Sequence, residues 1–166
     1  TARRDLFRLP EATWPMAALR AQFDWSFVYP REKGIKLGKS STDFIRARWL
    51  QAHFKPAKFV TILRDPYASC ASTRRRYPKI TIEEIARQWK VANDIFLEDL
   101  PYLEKNLILY YEDLCSRLDE QLQRLSDFLG LEPGLTRSML PAVMPTEKNV
   151  YDTYLPIQNL NEENRA

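Results

Sequence analysis

Histidine occurs once in the 166 residues and cysteine twice. Cys70 and Cys115 stand far apart, so they make neither a metal-ligand spacing nor a disulfide framework, and a reduced, cytoplasmic setting is the default expectation. No stretch approaches the ~20 apolar residues that a membrane-spanning helix needs. The opening, TARRDLFRLPEATW, places charges and prolines where a signal peptide has its apolar core, and it has no initiating methionine. The chain is therefore expected to be a processed product or a fragment, with its targeting illegible. Internal repeats and low-complexity tracts are missing as well. These absences exclude a disulfide scaffold, a solenoid and a helical membrane protein.

What is present is an ordinary globular composition, 45% apolar and 28% charged. That suits one domain with a proper core, expected over residues 1–166. A formal net charge of +3 is too small to mark a nucleic-acid binder. The distribution of charge is more informative, because Arg74, Arg75 and Arg76 follow close behind Arg64. Such a run is either a solvated helix end or an anion-facing rim.

The first thirty residues show weak periodicity and read as irregular or short-helical. GIKLG (34–38) alternates like a short strand. Thr42 is placed to cap a helix through Ile45, Trp49, Leu50 and Phe54, closed by Pro56. FVTIL (59–63) has the composition of a parallel strand buried on both faces, and a helix from about Tyr67 follows. Thr81 with Glu84 forms a capping box. It opens a long helix striped by Ile82, Ile85, Ala86, Trp89, Phe96 and Leu100. LILYY (107–111) is the next strand. Ser116 with Asp119 is placed to start a last helix bearing Leu118, Leu122, Leu125 and Leu129, with Gly130 as its stop. The order predicts an α/β fold, a parallel sheet flanked by helices through right-handed crossovers. Little regular structure is expected after Pro133.

In such sheets ligands bind beyond the carboxyl ends of the strands. Lys39 and Ser40, Arg64 and Asp65, and Tyr111 with Glu112 and Asp113 are the polar groups expected at three such ends. Each is also an ordinary way for a strand to finish; together they point to an anionic, aromatic ligand. Gly34 to Ser40 is not a phosphate loop, since three residues separate its glycines where four are needed to close the nest of N–H groups. KFVTILRDPYASCASTRRR (58–76) is the strongest segment. It sets a guanidinium beside a helix N-terminus, with Pro66 in the first turn and Ser72 one to two turns further on.

The strand-Arg-Asp-Pro-x5-Ser pattern resembles the 3′-phosphate motif of sulfotransferases that use 3′-phosphoadenosine 5′-phosphosulfate. LYYEDL (109–114), with the amphipathic helix ending FLGL (128–131), is similar to the same family's YEDL stretch and the helix after it. Lys39-Ser40 stands where many members carry Glu-Lys-Ser/Thr-Pro. The resemblance covers residues 35–131 and implies a P-loop NTPase-like fold. It further implies that Arg64 and Ser72 bind the 3′-phosphate, that Tyr111 lies near the adenine, and that Lys39 joins the cofactor-binding set. The reaction implied is sulfuryl transfer from 3′-phosphoadenosine 5′-phosphosulfate to a hydroxyl or amine, leaving adenosine 3′,5′-bisphosphate. A small-molecule, carbohydrate or lipid acceptor is the partner, with a homodimer compatible and no metal, nucleic acid or membrane span expected.

The family's Pro-Lys/Arg-Ser-Gly-Thr-Thr loop, which cradles the 5′-phosphosulfate, has no counterpart here. The fold is accordingly expected to be incomplete on its N-terminal side, and no catalytic residue is assigned. The sole histidine, His53, reads as packing or capping rather than as a base. Glu112 and Asp113 read as groups that hold the strand end. Trp89 and Phe96 read as core, and Trp14 and Trp25 as contributors to an acceptor pocket. A small-metabolite P-loop kinase and a non-catalytic nucleotide-binding or interaction domain on the same fold remain as alternatives.

Overall fold

The computed structural model describes residues 15–28, 34–40 and 43–140. They fall into two compact units, the first taking the described residues up to 59 together with 91–105 and the second 60–90 with 106–140.

The first unit begins with α1 (Pro15–Val28). This helix is a correction to the expectation of irregular or short-helical chain. Among its described side chains, Met16, Leu19 and Phe23 stand at i, i+3 and i+7 on one face and are exposed, while Ala18 on another is buried. Residues 34–40 run without regular structure, so GIKLG does not form the expected strand. Ile35 and Leu37 are 55% and 74% exposed. Apolar alternation supplies a strand's side-chain pattern, but a strand also needs a neighbour for its ladder, and none is paired with this stretch among the described residues.

A 3₁₀ turn at Asp43–Ile45 leads into α2 (Ala47–His53). Thr42, the expected cap, lies outside the described residues. The N-cap position is Arg46, whose side chain makes no capping hydrogen bond. Gln51 ties α2 to the 100–104 turn, donating to the Tyr102 carbonyl at 2.9 Å and accepting the Glu104 N–H at 2.8 Å. Arg48 meets the buried Asp99 at 3.7 Å and lies 4.2 Å from the centroid of the Tyr102 ring. Charges taken from water are held by partners in this way. His53 rests on Trp49 with ring centroids 4.9 Å apart, which makes it a packing residue.

The second unit holds the sheet apart from Phe59 at its start. β1 (Phe59–Leu63) pairs with β2 (Asn106–Tyr110) in a parallel two-stranded sheet flanked by helices. Only one face of β1 is covered: Thr61 is buried while Val60 and Ile62 are 38% and 57% exposed. The expectation of burial on both faces is corrected accordingly. After β1 comes α3 (Pro66–Arg76), and then α4 (Ile82–Asp99), whose first half belongs to this unit. The Thr81–Glu84 capping box forms as read: Glu84 N–H donates to Thr81 Oγ1 at 3.2 Å and Thr81 N–H to Glu84 Oε2 at 3.0 Å.

β2 runs directly into α5 (Tyr111–Ser116), and α6 (Leu118–Leu129) follows across Arg117. Leu118 and Leu122 of α6 are buried with Leu109, Ile85, Ala68 and Cys70 in the core of this unit. The expected Ser116–Asp119 cap does not form. The Ser116 hydroxyl instead donates back to the Glu112 carbonyl at 2.8 Å, because the residues before it are already helical. Gly130 ends α6 in the left-handed region at φ 73°. Ser126, 1% exposed, donates to the Leu122 carbonyl and accepts the Leu135 N–H, both at 2.7 Å. Gly134 packs close beside it: a Cβ there would sit 3.3 Å from the Ser126 side chain, a tight contact that Ser126 would have to yield to.

Candidate functional site

Two segments far apart in sequence meet where the strands of the second unit end. β1 stops at Leu63 and delivers Arg64; Asp65 is the N-cap of α3 and Pro66 its first residue. The Asp65 carboxylate accepts the Ala68 N–H at 2.9 Å, so this helix end is capped from within the motif. On the other side β2 stops at Tyr110, one residue earlier than its apolar run, and Tyr111 is the first residue of α5.

Two contacts close the gap between the segments. The Arg64 guanidinium carbon lies 4.6 Å from the centroid of the Tyr111 ring, a cation–π arrangement. One residue away, the backbone N–H of Asp65 donates to Glu112 Oε1 at 3.0 Å. Asp113 turns the other way and holds Arg117 at 2.9 Å. Of the two acids expected to hold the strand end, Glu112 does so through the Asp65 N–H, whereas Asp113 pairs with Arg117 where α5 meets α6.

Electrostatics around Tyr111 follow from these neighbours. Burial pushes its phenol above the ordinary tyrosine range, and the hydrogen bond and Coulombic interaction with Cys115 push it the same way; Arg64 pulls it down and Glu112 adds a smaller upward push. Cys115 is raised as well, chiefly by burial, with its Tyr111 hydrogen bond opposing. The thiol of Cys70 is raised by burial alone.

The remaining residues singled out from sequence are placed as follows. Ser72 stands in the second turn of α3, half-buried, on the helix that starts two residues after Arg64. Lys39 is exposed in the stretch 34–40 of the first unit. Within the arginine run, the Arg74 guanidinium donates to the carbonyls of Pro78 and Ile80, the latter at 2.7 Å, and so ties down the turn after α3. Arg76 lies 5.5 Å from the Tyr77 ring centroid. Trp14 and the side chain of Trp25 lie outside the described residues.

Trp89 is not core, although Phe96 on the same helix is 1% exposed. Trp89 is half-buried and lines a mostly apolar groove of about 620 Å³ between the starts of α3 and α4, with Asp65, Tyr67, Cys70, Ile82 and Ala86 among its walls. Ile82 and Ala86 continue the helical period that placed Trp89 in the core. A period identifies a face and not what covers it, which is why sequence reasoning missed the groove.

A sequence model described as "Sulfotransferase family" matches residues 7–135. The match begins well upstream of the motifs that carry the resemblance, and it takes in Trp14 and Trp25. Comparison with curated proteins and with solved structures gave no match.

Proposed function

Because the chain belongs to the sulfotransferase family, we propose that its second unit recognises the 3′-phosphate of 3′-phosphoadenosine 5′-phosphosulfate, the sulfuryl donor for a hydroxyl or amine acceptor. The observation that carries this reading is the meeting of Arg64 with Tyr111 at neighbouring strand ends. A guanidinium held over a ring still has N–H donors to offer a phosphate, so the two interactions are compatible. The residues at this end therefore fit a nucleotide bearing an extra phosphate.

In the proposed arrangement Arg64 binds the 3′-phosphate and the Ser72 hydroxyl donates to it from α3. Tyr111 frames the adenine and keeps the guanidinium oriented. Lys39, in the first unit, has no part in this arrangement of the second unit. The donor supplies an activated sulfuryl group: a bond forms from the acceptor oxygen or nitrogen to sulfur, the bond from sulfur to the phosphate oxygen breaks, and the leaving phosphate takes the electron pair. The acceptor's proton goes to a base that is not assigned. Fixing the nucleotide through its 3′-phosphate serves the in-line geometry of that displacement.

Calorimetric titration of the full chain with adenosine 3′,5′-bisphosphate tests the reading. Binding is expected to be tighter than for 5′-AMP, with Arg64→Ala losing about tenfold or more, the scale of a charge-assisted hydrogen bond. Equal affinity for the two nucleotides, or an Arg64→Ala variant that binds like the parent, sinks it.

A further inference from the structure

A carboxylate beside a phosphate site opposes the incoming anion by Coulomb repulsion, so its presence calls for a structural reason. Glu112 is such a group, adjacent in sequence to Tyr111 and close enough to raise the Tyr111 phenol. Its Oε1 accepts the Asp65 N–H at 3.0 Å across 47 residues of sequence. On the Asp65 side, the same residue caps α3 through Ala68, which fixes the path of the chain immediately after Arg64. On the Glu112 side, the adjacent residue is the ring under the Arg64 guanidinium. One hydrogen bond thus ties the turn that carries Arg64 to the turn that carries Tyr111.

We infer that Glu112 is a positioning residue for 3′-phosphate recognition. It holds the 64–65 backbone at the start of α5, so that the guanidinium stays on the Tyr111 ring with its in-plane donors turned to one place. Glu112 does not itself touch the nucleotide. This inference rests on the donor reading above. It assigns selectivity for the 3′-phosphate to an acceptor oxygen on β2's side of the site, and not to the charge of Glu112.

Glutamine keeps an acceptor oxygen at the same reach and drops the charge; aspartate keeps the charge and shortens the reach; alanine removes both. Adenosine 3′,5′-bisphosphate and 5′-AMP are titrated against the full chain and its Glu112→Gln, Glu112→Asp and Glu112→Ala variants, with circular dichroism to confirm folding. Glu112→Ala is expected to lower the preference for the bisphosphate about tenfold, with a smaller loss for 5′-AMP, as loss of an ordering hydrogen bond to a charged group does. Glu112→Gln is expected to keep the preference and Glu112→Asp to lose it. A folded Glu112→Ala with the parental preference overturns the inference, as does Glu112→Gln losing as much as Glu112→Ala. Should Glu112→Ala not fold, the contrast between Gln and Asp decides the matter in the same way. A parent chain with no preference for the bisphosphate refutes the donor reading instead, so the two failures are distinct.

Discussion

Tyr111 is held between neighbours of opposite electrostatic effect. Burial and Cys115 favour its neutral phenol, while the Arg64 guanidinium over its ring favours the phenolate. The upward influences win, so the folded chain keeps this proton at a pH where an unfolded tyrosine, near 10, has lost it. A raised folded pKa contributes stability that is fully present below the unfolded value and lost as pH rises through the folded value. Near-ultraviolet phenolate absorbance, compared between the parent and Tyr111→Phe, is expected to assign Tyr111 to a late phase of the alkaline titration. Arg64→Ala should push that phase later still, and Cys115→Ala should bring it earlier. A Tyr111 phase at or below the ordinary value contradicts this account of the site. The bond from Glu112 to Asp65 belongs to the residue scale too, and its partners were not legible beforehand: nothing within either motif says which backbone N–H the acid reaches.

At the scale of elements, whatever depends on a few adjacent residues could be read from the sequence. The capping box of α4 is a four-residue pattern, Thr81 to Glu84, and it forms as such. The end of α6 needs one residue tolerant of positive φ, and Gly130 supplies it. Gly130→Ala is expected to cost about 1–2 kcal/mol, the penalty of placing a Cβ in the left-handed region. Urea denaturation followed by circular dichroism measures it, and a midpoint unchanged from the parent contradicts the assignment. Elements that depend on a distant partner were misread. GIKLG lacks a paired neighbour among the described residues, and in α1 the helically spaced Met16, Leu19 and Phe23 are exposed, so they form no core-facing stripe. Ser116 has the spacing of a helix cap, yet α5 claims its hydroxyl from the other side. No local pattern announces that two short helices will meet at Arg117.

For the molecule as a whole, the motif order was enough to read the family and the α/β class, because RDP and YED each follow an apolar strand and both strands form. The sheet came out narrower than expected, two strands among the described residues against three anticipated. No described helix is long and apolar enough to cross a membrane. A nucleotide that binds only the folded chain stabilises it by about 2.7 kcal/mol at a hundred times its Kd. For a chain of this length that corresponds to a Tm rise on the order of 5–10 °C. Differential scanning calorimetry with adenosine 3′,5′-bisphosphate is expected to show that rise, and to show it shrink as added salt screens Arg64 from the phosphate. A rise that ignores salt, or one matched by 5′-AMP at equal concentration, argues against a guanidinium–phosphate contact.

The cap that Asp65 places on α3 has a consequence for which solutes the chain ignores. A bare helix start is a trap for any small oxyanion, because its N–H groups and dipole favour negative charge without regard to what carries it. Here Pro66 brings no N–H, Ala68 already donates to Asp65, and Asp65 donates to Glu112. Free sulfate and inorganic phosphate thus meet a helix start whose Ala68 N–H is already engaged by the Asp65 carboxylate, a group that repels them. A phosphate that arrives attached to an adenosine brings a ring and a second anchoring point with it. The self-capped start of α3 thus offers a free oxyanion fewer donors than a bare helix start does.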